Sequence, residues 1–154
     1  MRDRRKAGIS PVVATVILVA VAIVIAIAVA FWASGLVGVF TRFEKIEIVS
    51  AYFDPGDPAD PNDDAVVVIA KNSGSSPAVV DQVFVNGVPC TNVNHGPTRA
   101  GAIQNLPANL GIGNSEYFVL QGGPDACFRT GGVTNEVALH STSGKTYPVA
   151  VLVP

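Results

Sequence analysis

The sequence predicts one long N-terminal α-helix followed by an all-β antiparallel sandwich. Three observations carry this expectation. From Ala7 to Thr41 there is no Asp, Glu, Lys or Arg, a run of 35 residues, whereas a soluble surface helix keeps a charged face. Beyond residue 45, short β-branched runs alternate with Gly, Asn, Pro and Ser turns, and no second helical pattern appears. A chain of 154 residues, 49% of them hydrophobic, has room for one helix and one domain of ordinary size.

The helix comes first in the chain. Pro11 to Trp32 is 22 residues, about 33 Å at the α-helical rise, so the apolar run can span a bilayer and continue. Ser10 is placed to cap it and Pro11 suits the first helical position, while Val13 at the third position rules out a full capping box. Much of the run is Val and Ile, so its helicity must come from surroundings that forbid unpaired backbone groups. Phe31 and Trp32 fall where a membrane boundary favours amphipathic rings. Arg2, Arg4, Arg5 and Lys6 precede the run and predict a cytoplasmic N-terminus with the rest exported. The helix is expected to end between Phe40 and Glu44.

Small residues recur every fourth position at Ala22, Ala26, Ala30, Ser34 and Gly38. Such a stripe lets helix backbones approach closely where burial from water is not the driving force. The alternative is chance spacing in an Ala-rich helix.

Residues 45 to 53 then alternate polar and apolar, the mark of a half-buried strand. Residues 54 to 64 are Pro-rich and acidic; they read as a solvated loop, with an ion site as the alternative, although the spacing does not fit an EF-hand. Further strands are expected at Ala65–Lys71, Ala78–Val85 and Val88–Cys90, the last two joined by Asn86-Gly87, a strong two-residue hairpin signal. A long Gly/Asn/Pro loop is expected from there to about Ile112. Strands at Glu116–Gln121, Thr134–Ser141 and Lys145–Val153 complete a head of about seven strands in 110 residues, of immunoglobulin-like type.

Cys90 and Cys127 both lie in this head. If the head is extracellular they form a disulfide candidate; the alternative is two buried free thiols. His95, in the expected loop, and His140, in an expected strand, have no Cys or carboxylate at metal-ligand spacing in the sequence. No nucleophile elbow, P-loop or dinucleotide fingerprint occurs. The expectation is a non-enzyme with no catalytic, cofactor-binding or metal residues and no cofactor. Nor does the chain suit nucleic acid, because its formal charge is −2 and only six Lys/Arg remain beyond Lys6. No N-x-[ST] sequon is present, and the Ser/Thr-rich loops leave O-linked sugar open.

The order of these N-terminal features is not that of an ordinary secretory signal, because the small pair Ala7-Gly8 lies before the apolar run, not after it. Lys6-Ala7-Gly8-Ile9-Ser10-Pro11-Val12-Val13-Ala14-Thr15-Val16-Ile17-Leu18 resembles the N-terminus of archaeal type IV pilins. The resemblance implies a class III signal peptide cut by a prepilin peptidase between Gly8 and Ile9, with Lys6 and Ala7 in the recognition segment. In that family the basic residue usually sits directly before the small one, whereas here Ala7 intervenes, which leaves a cut after Ala7 open. Bacterial pilins carry a glutamate five residues into the mature helix; that position is Val13, so the match is archaeal in type. Removing residues 1 to 8 moves the formal charge from −2 to −5. The stretch from Val66 to Val88 also resembles archaeal pilin heads, less specifically.

The implied organisation is a leader at 1–8, a hydrophobic membrane and filament-core helix at 9–44, and an extracellular β-sandwich head at 45–154. The resemblance implies a structural subunit that sits in the cell membrane as a precursor and then polymerises with copies of itself into a cell-surface pilus, for adhesion. Its implied partners are the prepilin peptidase, the assembly ATPase and the membrane platform. The alternatives are a membrane-anchored extracellular binding module that never polymerises, and an archaellin-like motility filament.

Overall fold

The computed structural model describes residues 11–56, 64–123, 126–128 and 131–154. The chain divides into two units, one ending at Thr41 and one beginning at Arg42. The leader, the cleavage positions Lys6, Ala7, Gly8 and Ile9, and the Ser10 cap lie outside the described residues, as does most of the acidic loop at 57–63.

Among the described residues the first unit holds one helix, α1, Pro11–Phe40. Two hydroxyls turn back on the helix backbone: Thr15 Oγ1 donates to the Val12 carbonyl at 2.8 Å, and Thr41 Oγ1, just past the end, to that of Val37 at 3.1 Å. A hydroxyl that satisfies itself in this way is compatible with apolar surroundings.

The second unit is an antiparallel two-sheet sandwich. Among the described residues its strands are β1 Ile46–Asp54, β2 Ala65–Asn72, β3 Ala78–Val85, β4 Val88–Cys90, β5 Val93–Gly96, β6 Gln104–Asn105, β7 Ala108–Leu110, β8 Ser115–Gln121, β9 Val133–Ser141 and β10 Thr146–Val153. One sheet runs β1-β2-β8-β5-β6. The other runs β10-β9-β3-β4, with β7 lying end to end with β4 along the same edge of β3.

The inner faces meet in one core that includes Val66, Val68, Val80, Val83, Val85, Phe118, Leu120, Val137, Leu139 and Val153. Val80 and Val83 both reach it, although an odd spacing places strand residues on opposite faces, because a bulge between Val80 and Gln82 resets the register. A smaller cluster covers the outer face of the first sheet, where Ala65, Val67 and Val119 pack with Ala102. Strand β2 is thus buried on both faces, which is why Ala65–Ala70 reads as an unbroken apolar run. Gly96 is required by the loop that supplies Ala102, since an added Cβ would stand 2.1 Å from the Gly101 carbonyl oxygen.

The Asn86-Gly87 hairpin forms, with both residues at positive φ, 51° and 79°. The strands expected at Ala78–Val85 and Val88–Cys90 keep those bounds, and β1, β2, β8, β9 and β10 fall within one residue of theirs. Two corrections are needed. The loop expected between Cys90 and Ile112 holds β5, β6 and β7, so the described head has ten strands where about seven were expected. His95, placed in that loop, is buried in β5. The helix ends at Phe40, the near edge of the expected range, and the backbone of Phe43 is already bonded to the head.

Candidate assembly interface

Between Pro11 and Gly38 every α1 side chain is exposed. The helix has no polar face to turn outward: Val, Ile, Leu, Ala and aromatic residues occupy all sides, broken by Thr15 and Ser34. By length and composition it can cross a membrane, since 28 residues from Pro11 to Gly38 rise about 42 Å against a hydrocarbon core of roughly 30 Å. Phe31 and Trp32 stand 76% and 67% exposed toward its C-terminal end, past the first 20 residues that such a core accommodates.

Ala22, Ala26, Ala30, Ser34 and Gly38 follow one i, i+4 row of α1. Such rows incline about 26° to the helix axis, so a neighbour seated along this one crosses α1 at an angle. An added Cβ at Gly35 or Gly38 meets nothing within 4 Å, so no packing within the chain demands glycine there. Small side chains along such a row permit a close approach by another helix.

Just past the helix, the chain enters the head through a set of hydrogen bonds drawn from both sheets. Phe43 N–H donates to Ser75 Oγ at 3.0 Å, and the Ser75 and Ser76 N–H groups donate to the Phe43 carbonyl at 2.9 and 3.2 Å. Ser73 N–H donates to the Lys45 carbonyl at 2.9 Å. These donors sit in the turn between β2 and β3. From the β9–β10 turn, Lys145 Nζ donates to the Glu44 carbonyl at 2.8 Å, and Ser141 Oγ to the Glu44 carboxylate. Gly74 makes the approach possible, because a Cβ there would lie 2.6 Å from the Phe43 carbonyl oxygen and 2.7 Å from the Lys45 nitrogen. Residues 43–45 are therefore held both by the turn that links the two sheets and by a turn within the second sheet.

Two ionisable groups near this entry are shifted. Burial pushes the Tyr147 phenol up from its ordinary 10.0, and the Glu44 carboxylate adds to the shift. Lys45, hydrogen-bonded to Glu47, holds that exposed carboxyl below its usual range.

At the other side of the head a disulfide joins Cys90 to Cys127, with Cα atoms 5.5 Å apart. It ties the end of β4 to the segment between β8 and β9. Beside it a groove of about 640 Å³ is lined by residues such as Val85, Asn86, Pro89 and Val133, and no ionisable side chain lines it among the described residues.

The fold brings each histidine to a carboxylate that sequence spacing did not reveal. His95 Nδ1 lies 3.6 Å from Glu116 Oε2 and His140 Nδ1 lies 2.8 Å from Asp81 Oδ1. Strand register does this: His95 stands opposite Phe118, two residues from Glu116, and His140 opposite Gln82, next to Asp81. Correct pairing of β5 with β8 was the signal needed, and β5 was hidden in an Asn/Gly-rich stretch. Among the described residues no three His, Cys, Asp or Glu side chains gather as a metal site. No protein-family model and no curated protein matches the chain.

Proposed function

We propose that this chain is the structural subunit of an extracellular archaeal type IV pilus, held in the membrane by α1 until α1 packs against copies of itself in the filament core. One observation carries the reading: 28 consecutive helical residues are apolar on every side and wholly unburied by their own chain. Water is excluded as their final environment, since exposing that area would oppose folding at roughly 25 cal/mol per Å². Lipid and a bundle of identical helices both satisfy it. The row of small residues favours the bundle as the end state, because close backbone packing is what helices gain by leaving lipid for each other.

The leader-like sequence before Pro11 supports the same reading through its order: basic cluster, small pair, then the helix kept in the product. The head, a two-sheet domain with its own core, is then displayed outside, and surface adhesion is its use by resemblance to the family. In this reading the partners are a prepilin peptidase, an assembly ATPase with its membrane platform, and further copies of the chain.

The test is the mass of the N-terminal peptide of the protein recovered from sheared cell-surface material. A peptide starting at Ile9, or at Gly8 if the cut follows Ala7, is expected, in material that electron microscopy shows as fibres. An intact Met1 terminus on protein that stays with the membrane overturns the reading in favour of an anchored module.

A further inference from the structure

We propose that Asn86 is a latent modification site, an Asn-Gly pair primed for deamidation that the folded head holds shut. In such a pair the backbone nitrogen of the glycine attacks the side-chain Cγ of the asparagine. A Cγ–N bond forms, the Cγ–Nδ2 bond breaks, and ammonia leaves with the proton that the glycine nitrogen gives up. Water then opens the cyclic imide at either carbonyl, giving aspartate or isoaspartate. Glycine makes the attack easy because it has no side chain to shield its nitrogen. The same two residues are the ones a tight two-residue turn selects, so the hairpin signal and the chemical liability are one feature.

The geometry removes the liability by pinning both ends of the carboxamide on β9. Asn86 Nδ2 donates to Asn135 Oδ1 at 3.0 Å, and the Glu136 N–H donates to Asn86 Oδ1, also at 3.0 Å. Asn86 N–H in turn donates to the Glu136 carbonyl at 2.8 Å. The Asn86 side chain thus imitates a backbone carbonyl and extends the β3–β9 ladder by one rung past the Val85–Val137 pair. Asn135 is fully buried and its own Nδ2 donates to the Val133 carbonyl, so the acceptor facing Asn86 is held in orientation. To offer Cγ to Gly87, the carboxamide must turn away from β9 and break both bonds.

Modification would be irreversible and damaging. Aspartate would set a carboxylate oxygen against Asn135 Oδ1 and add a charge beside Glu136. Isoaspartate would lengthen the backbone inside the turn and shift the register that places Val83 and Val85 in the core.

The experiment compares full-length protein in detergent, folded or unfolded in denaturant, at mildly alkaline pH, with deamidation and isoaspartate at Asn86 followed by peptide mass spectrometry. Because two hydrogen bonds of ordinary strength must open first, the folded protein is expected to react roughly ten- to a hundredfold more slowly. Asn135→Ala removes one of the bonds and is expected to speed the reaction in protein that circular dichroism shows to be folded. Equal rates in folded and unfolded wild-type protein, or no reaction at Asn86 in the unfolded chain, overturn the proposal without any variant.

Discussion

Helix α1 and the head handle apolar surface in opposite ways. The head turns valines inward across two sheets, leaving Val66, Val68, Val80, Val83 and Val137 with no exposure at all. The helix, built from many of the same residue types, buries none between Pro11 and Gly38. Hydrophobicity alone therefore does not separate a core from an interface. What separates them is whether the chain itself supplies the second surface: the head's alternating strands do, and α1, apolar on all sides, needs a membrane or other molecules.

The largest expected effect lies in the head. Replacing Cys90 with Ser frees a 38-residue loop and is expected to lower head stability by about 4 kcal/mol on the chain-entropy model, while the α1 helix content in detergent stays unchanged. Denaturant melts of the two proteins, read by circular dichroism, check both halves of that statement. On the helix side, Ile25→Asp places a charge in the apolar run and is expected to oppose membrane insertion by roughly 3 kcal/mol with no loss of head stability. Membrane partition of the expressed protein measures it.

The entry of the chain into the head gives a smaller effect. Gly74→Val drives a side chain into the Phe43 carbonyl and the Lys45 nitrogen, and is expected to destabilise the head by about 1–3 kcal/mol. Hydrogen exchange should then rise at the Ser73, Ser75 and Ser76 amides, which donate to residues 43 and 45.

The smallest effect is pH-dependent. The Tyr147 phenol is raised in the folded head, so the folded state holds its proton more tightly than the unfolded chain. Its contribution is fully present below pH 10.0, the ordinary value, and is lost as pH climbs through the raised folded value. Tyr147→Phe should flatten that alkaline fall, as thermal melts at a series of pH values above neutrality would show.

The sequence made local features legible and left non-local ones hidden. Charge absence marked α1, and β-branched runs bounded by Gly or Ser marked β2, β3, β8, β9 and β10. Asn86-Gly87 marked its turn because those residues adopt positive φ at little cost. Strands β5, β6 and β7 escaped because they are two to four residues long and carry Asn, Gln, His and Gly, poor strand formers held there by pairing with β8, β5 and β3. The same limit hid the His95–Glu116 and His140–Asp81 pairs. The clamp on residues 43–45 was equally invisible, since serines in a turn look solvated until the chain they grip is brought to them.

In the proposed function α1 finds its second surface in copies of itself. High-resolution electron microscopy of appendages sheared from cells that make the protein tests this most directly. The expected result is a fibre whose core consists of α1 helices in contact along Ala22, Ala26, Ala30, Ser34 and Gly38, with heads outside. Fibres joined head to head with α1 absent from the core, or cells that carry the protein only as single membrane-anchored molecules, would contradict it.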